Sequence, residues 1–509
     1  RSTLFPYTTL FRSRLIDQFD QCYMVFQNIH KFRNIEHSEL ALPSNRGAWS
    51  HAGTVCDYVN NLSEELVTPE ELMADADQTI SVLGSLLQAY RELLEENNLM
   101  DFASIQTETY RLLAEHPEVL KQLQSQITYV MVDEYQDTNF IQERLVFLLA
   151  GERKNICVVG DDDQGLYRFR GATIRNILEF PEKFAKDECK IIPLVVNYRS
   201  NSDIVNFYNQ WMTTTSGSRF KFSWDKYRYP KSIVPQKETE INSPAVIKLT
   251  EEGSTGDWHE KVLNFINELM ASGKLTDYNQ IAFLFKSVKG DKATGLARYL
   301  EAHGINVYSP RSDMFFQRDE IMLALGFFML MFPRYVRNFE NDSYDFVKQG
   351  SLLYAYYETC IKKASQLITK PEHAELLKWI QRKGIAHTAL TGNTDYAFSG
   401  LLYQLFEFSP FVEILDTEMD VGVVDVRPAR NLATLTQIIG KYEYLHRIDV
   451  LESKRIVSDT EKLFNLYLRL LFEGGISEYE DDSEYAPSGC VSFMTIHQSK
   501  GMEFPIVVV

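Results

Sequence analysis

A chain of 509 residues is too long for one hydrophobic core, so roughly two to four domains are expected. With 45% hydrophobic and 13% aromatic residues it reads as a folded protein, not a disordered one. The net charge of −18 argues against indiscriminate nucleic-acid binding, although a local basic track inside an acidic envelope remains open. The six cysteines are scattered and form no C-x-x-C pair, so neither a disulfide scaffold nor a zinc site is expected. A reducing cytoplasm is their natural compartment.

In chain order, the first stretch, RSTLFPYTTLFRS (1–13), has no helical or strand period and half-repeats itself. It resembles translated sequencing adapter and is set apart as non-native. Residues 14–99 read as a helical subdomain. Helix starts are expected at Ser63-Glu64-Glu65 and at Thr68-Pro69-Glu70-Glu71, with long helical periodicity from Glu71 to Asn97. Met100-Asp101-Phe102 opens a further helix to about Leu123.

The texture changes at Ile127. The segments ITYVMVDE, NICVVGDDD and CKIIPLVVN read as apolar strands, separated by helices over residues 139–149 and 174–184 and followed by a helix over 201–212. All-apolar strands alternating with helices predict a parallel sheet covered on both faces, with ligands beyond the carboxyl ends of its strands. Residues 100–225 are therefore expected to form a first α/β domain, and residues 213–243 a linker. A second α/β unit spans 244–332, with strands AVIKLT, QIAFLFKS and INVYS around helices over 258–270 and 293–303. The apolar run Ile321 to Phe332 is too short to span a bilayer and reads as a buried helix. A helical insertion over 333–484 follows, closed by the acidic run Glu478 to Glu484. Residues 485–509 return to the α/β texture with strands CVSFMTIHQ and FPIVVV. The chain stops at Val509 within an apolar strand, and the natural protein is expected to extend at both ends.

Four segments carry candidate chemistry. In VMVDEYQDTN, two adjacent carboxylates end a buried strand. Asp133 can hold Mg²⁺ and Glu134 can orient and deprotonate an attacking water. A helix N-cap with an acidic first turn would use Asp133 or Asp137 just as well, and the following QDTN sharpens the signal. In VVGDDDQGLYRFRGA, the Gln164 amide can report on a γ-phosphate. Tyr167, Phe169 and Arg170 interleave aromatics with cations as single-strand binding surfaces do. In LVVNYRS, Arg199 lies just past a strand end, where its rigid fork can reach a γ-phosphate. In VSFMTIHQSKGMEFP, the hydroxyls of Thr495 and Ser499 and the Lys500 amine suit phosphate contact, and Glu503 can accept from a ribose hydroxyl. His497 stands among them.

Taken together and in this order, these segments resemble the motifs of the superfamily 1 DNA helicases of the UvrD/Rep type. VDEYQDTN is similar to their second motif, GDDDQGLYRFRGA to their third, NYRS to their fourth and TIHQSKGMEFP to their fifth. The resemblance implies an α/β fold of two RecA-like parallel-sheet domains (P-loop NTPase type) with helical insertions. It implies ATP and Mg²⁺ as cofactors, single-stranded and duplex-junction DNA as partners, and 3′-to-5′ translocation driven by ATP hydrolysis. By resemblance, Asp133 binds the metal and Glu134 activates water. Gln164, Arg199 and Lys500 serve the phosphates and Glu503 the ribose, while Tyr167, Phe169, Arg170, Thr495 and His497 face DNA. The family often has Trp where Phe169 stands. No G-x-x-x-x-G-K-[ST] loop occurs in the 509 residues, and Gly273-Lys274 and Gly440-Lys441 lack its other members. That loop is expected upstream and the arginine-bearing sixth motif downstream, so this stretch alone is expected to hydrolyse almost no ATP. Alternatives are the helicase half of a helicase–nuclease and a non-catalytic DNA-binding scaffold.

Overall fold

The computed structural model describes residues 13–166, 172–213, 228–229, 231–238, 244–248, 257–288, 290–309, 315–344, 347–416, 427–474, 486 and 488–509. They fall into two units, residues 1–249 and 250–509. The acidic run from Glu478 to Glu484 lies outside the described residues.

Unit one begins with helices α1 (Gln18–Gln27), α2 (Ala48–Glu64) and α3 (Gln78–Asn97), which share one apolar core of Val25, Phe32, Val55, Val59, Leu86 and Leu87. Ser63-Glu64-Glu65 ends α2 instead of starting a helix, because Leu66 turns into the left-handed region at φ 58°. Thr68 does start one, through a reciprocal pair of bonds with Glu71 at 3.2 and 2.9 Å. That helix, Pro69–Met73, is short. Asp77 then caps α3 by accepting the Thr79 amide at 2.8 Å, so the expected single helix from Glu71 is two. Helix α4 (Phe102–Glu115) is capped by Asp101 and ends before Pro117, which starts the separate helix Pro117–Gln126.

The α/β part of unit one follows. Strand β1 (Val130–Val132) runs parallel to β2 (Ile156–Val158), with α5 (Phe140–Ala150) between them in sequence. Tyr135, fully buried, packs edge-on against Phe180 at 5.2 Å, and its hydroxyl donates to Glu143 at 3.0 Å. The expected third strand of this sheet differs. Residues 189–195 are not a strand, and β3 (Val196–Asn201) instead pairs in parallel with β4 (Val234–Lys237), inside the expected linker. Pro193 removes a ladder donor from the apolar run, so pairing starts only beyond it. Helix α6 (Ser202–Thr213) follows β3 directly. The expected helix over 174–184 is a short turn of α-helix, Arg175–Leu178, followed by a 3₁₀ turn, Phe180–Lys183, at Pro181.

Among its described residues, unit two has one four-stranded parallel sheet. Its members are β5 (Ile281–Phe285), β6 (Asn306–Tyr308), β7 (Cys490–Thr495) and β8 (Ile506–Val508), in the order β8-β5-β7-β6. Helices α7 (Asp257–Ala271) and α8 (Asp291–Ala302) supply Ile266, Leu296 and Leu300 to its core. The expected strand at AVIKLT is not formed over its described residues, 245–248. Between β6 and β7 lies the helical insertion, opened by the buried helix α9 (Asp319–Leu330). Gly326 is required there: a Cβ would sit 2.2 Å from the Cys360 carbonyl oxygen of α10 (Leu352–Ile368). Among the described residues, no helix is long and apolar enough to cross a membrane.

Candidate nucleotide site and its relatives

Parallel pairing brings the carboxyl ends of β1 and β2 side by side, and both ends carry acids. The register Val132↔Val158 is extended by two further backbone bonds, from the Val159 amide to the Val132 carbonyl (2.8 Å) and from the Tyr135 amide to the Val159 carbonyl (2.9 Å). Asp133 is exposed, and its Oδ1 accepts the Glu134 amide at 2.8 Å. Glu134 sits in the left-handed region (φ 49°, ψ 40°). That conformation costs a non-glycine residue about 1–2 kcal/mol and tends to be kept where a side chain must be aimed.

Gln136, almost fully buried, joins the two strand ends. Its amide nitrogen donates to Glu134 Oε2 at 2.6 Å, and its oxygen accepts the Asp161 amide at 2.9 Å. Gln164 then donates to Asp161 Oδ2 at 2.8 Å. Glu134, Gln136, Asp161 and Gln164 are therefore one hydrogen-bonded chain across the sheet rim. Gly160 makes the crossing possible, since a Cβ there would lie 2.4 Å from Gln136 Oε1 and 2.8 Å from Ile177 Cδ1.

The acids after Gly160 are clamped from a distant part of the chain. Arg228 holds Asp163 with two bonds of 2.7 and 2.8 Å. Lys231 donates to Asp161 and Asp162 at 2.5 Å each and lies 3.1 Å from Asp163. The Tyr229 amide donates to Asp162 at 2.9 Å, and its hydroxyl to the Ile177 and Leu178 carbonyls at 3.2 and 3.1 Å. Burial alone would raise the Asp163 carboxyl, but Arg228 and Lys231 hold it below its ordinary range. Burial likewise works against the Lys231 charge, and its bonds to Asp161 and Asp162 outweigh it, raising the amine.

Arg199 lies within β3, not past a strand end, and is exposed. Asn197 Oδ1 accepts the Arg199 and Ser200 amides at 3.0 and 2.8 Å, which bulges the ladder at NYRS. Since β3 pairs with β4 and not with β1 or β2, the sheet itself does not carry Arg199 to the rim where Glu134 and Gln164 meet. Tyr167, Phe169 and Arg170 lie outside the described residues. In unit two, Thr495 ends β7, and its turn is closed by the Thr495 amide donating to Gln498 Oε1 (2.7 Å) and the Gln498 amide to Thr495 Oγ1 (3.2 Å). His497 and Lys500 are half-buried in that turn, which Gly501 completes at φ 85°, and Glu503 is exposed beyond it.

Among the described residues no group of three or more His, Cys, Asp or Glu is arranged to hold a metal. A lone exposed carboxylate still suits Mg²⁺, which keeps several waters and takes one or two carboxylates together with substrate phosphates.

Residues 11–185 match the UvrD/REP helicase N-terminal domain, and residues 192–339 match the UvrD-like helicase C-terminal domain. The chain belongs to the UvrD/REP helicases. The UvrD-like chain is 28% identical over 476 residues to a protein of Staphylococcus epidermidis (strain RP62A) named ATP-dependent DNA helicase PcrA, covering 89% of this chain and 58% of the relative. It is 26% identical over 486 residues to the protein of the same name from Staphylococcus aureus (strain Mu50), with the same two coverages. The chain thus spans 58% of the length of these curated relatives. The match to the N-terminal domain starts at residue 11, inside the segment set apart as adapter-like. Sequence reasoning missed Gln136, Arg228 and Lys231 in this UvrD-like chain. Gln136 was visible inside the DEYQD segment, whereas the two cations stood in a stretch read only as linker.

Proposed function

We propose that the chain is the core of an ATP-driven, 3′-to-5′ single-stranded DNA translocase and helicase. In this reading Asp133 holds Mg²⁺ and Glu134 takes the proton of the attacking water. Gln164 and Arg199 reach the γ-phosphate, Lys500 contacts phosphate and Glu503 the ribose. Tyr167, Phe169, Arg170, Thr495 and His497 serve the DNA. Asp133 would hold the Mg²⁺, which when bound would supply positive charge against the charge that develops on phosphoryl transfer.

The observation that carries the reading is the hydrogen-bonded chain Glu134–Gln136–Asp161–Gln164 at the rim of β1 and β2. It joins the Glu134 carboxylate and the Gln164 amide, to which this reading gives the roles of base and phosphate sensor, in one hydrogen-bonded unit. A change at Gln164 can therefore be felt at Glu134, and the aromatic–cationic segment follows Gln164 by only a few residues. Partner names given to the relatives, ATP and DNA, agree with this chemistry.

The test uses protein expressed from its complete coding sequence. Glu134→Gln is expected to lower DNA-stimulated kcat by about 10²-fold or more while leaving KM for ATP within a few-fold, the signature of a lost general base. A variant that hydrolyses ATP at the wild-type rate sinks the assignment. The 509-residue stretch alone contains no G-x-x-x-x-G-K-[ST] loop to cradle the phosphates. It is expected to show ATPase near background, and robust turnover by it would overturn that expectation.

A further inference from the structure

We infer that Arg228 and Lys231 are positioning residues for ATP turnover, acting through the Asp161–Asp163 loop on Gln164. The inference rests on the reading above and names residues it does not use. The Asp162 and Asp163 side chains are only 4% and 2% exposed, and the clamping Lys231 and Arg228 side chains 15% and 11%. Three carboxylates in consecutive positions repel one another, and two of them are out of water. Left alone, such a loop would turn its acids outward to regain hydration. The two cations remove that option.

The geometry of the clamp reaches Gln164 directly. Asp161 uses Oδ1 for Lys231 and the Asp163 amide, and Oδ2 for the Gln164 amide nitrogen. The same residue presents its backbone amide to Gln136. Lys231 therefore fixes the carboxylate on which Gln164 rests, at the point where the loop joins Glu134. Arg228, through two parallel bonds, fixes the rotation of Asp163 one residue before Gln164. Tyr229 adds a second tie from the same segment, to Asp162 and to the Ile177 and Leu178 carbonyls. A plain surface ion pair would lack this set of features. Here the Asp162 and Asp163 partners are buried and the bonds are bidentate or shared, and Lys231 also bonds the partly exposed Asp161, the acceptor of the Gln164 side chain.

The experiment is a double-mutant cycle in the protein made from its complete coding sequence. Lys231→Met is expected to lower kcat by about 10-fold, with KM for ATP changed less, and Lys231→Arg to recover most of it. In a Gln164→Ala background the same Lys231→Met change is expected to cost less than about 2-fold, because the residue it positions is gone. Arg228→Lys keeps the charge and loses the fork. It should give an intermediate loss, and it covers the case in which Lys231→Met does not fold. Hydrogen exchange of the 161–166 amides should speed up in each variant. If wild type hydrolyses ATP and Lys231→Met and Arg228→Lys keep its kcat, the inference fails while the function stands. Equal losses with and without Gln164 assign the cations a general structural role and also overturn it. Absence of DNA-stimulated ATPase in wild type would instead remove the reading on which it rests.

Discussion

At the scale of single residues, the informative features are those that break a local rule. Glu134 occupies a backbone region that a Cβ disfavours, and nothing in DEYQD announces that in the sequence. The reason lies in three dimensions: the Tyr135 amide is held by the Val159 carbonyl while Tyr135 itself is buried, so the chain must turn sharply at 134. This separates catalysis from stability at one position. Glu134→Gly should be more stable than Glu134→Ala by about 1 kcal/mol, since glycine alone tolerates the turn freely. For a unit of this size that is roughly 2–4 °C in Tm. Both variants should be equally inactive. Thermal unfolding of the pair measures the difference, and equal midpoints would show that the turn carries no strain. The acids at 133 and 134 and the amide at 164 were legible because strand ends followed by such residues have few uses. Arg228 and Lys231 were not, because a cation in a polar stretch has many partners available and the fold alone chooses among them.

At the scale of elements, periodicity located the helices expected over 139–149, 201–212, 258–270 and 293–303 and the strands that form the four-stranded sheet. It failed where a backbone device overrode composition. Pro193 interrupts the apolar run CKIIPLVVN, and β3 runs through NYRS instead, with Asn197 bridging its bulge. The partner β4, containing Pro235, looked like linker because proline is tolerated only at such edges. The helical insertion was the least legible region, and its buried ionisable groups explain a further property. His446 ends α12 (Arg427–His446) with its ring 4.4 Å from that of Tyr442. Burial, reinforced by Lys462 and Arg455, lowers its pKa from 6.5 to about 4. Between those values the unfolded chain binds the proton and the folded one does not, so this group's contribution is complete above about pH 6.5 and shrinks as pH falls toward about 4. Burial also lowers His387, which lies in α11 (Ala374–Thr388), in the same sense. Glu443 and Asp459 are raised by burial and act oppositely. Comparing variants isolates the histidine: wild type should lose more Tm than His446→Gln between about pH 7 and about pH 5. Identical pH slopes for the two would show that His446 is protonated in the fold as readily as in the unfolded chain.

At the scale of the whole molecule, the two units differ in how well their sheets are covered. In unit two the central strands are sealed: Ile281, Ala282, Phe283, Val491 and Phe493 are buried between helices and neighbouring strands. In unit one, Tyr129 and Met131 at β1 are 74% and 76% exposed, and Leu194 before β3 is 79% exposed, with Ile191, Ile192 and Tyr198 nearby in sequence also open. Parallel strands normally bury both faces, because each side must shed its apolar surface from water. The ladders β1–β2 and β3–β4, separate and with open apolar side chains, are a marginal arrangement compared with one closed sheet. The 509-residue chain is therefore expected to bind a hydrophobic dye such as ANS while keeping cooperative near-UV signals from unit two. Met131→Lys combined with Leu194→Lys should cut the dye signal by about half or more without changing far-UV helicity, since both side chains already face water. A chain that binds no dye, or a double variant that binds as much as wild type, would place the open apolar surface elsewhere. The same physics explains the contrast in legibility: an apolar strand is recognisable from its residues, but which neighbour covers it is a property of the assembled sheet.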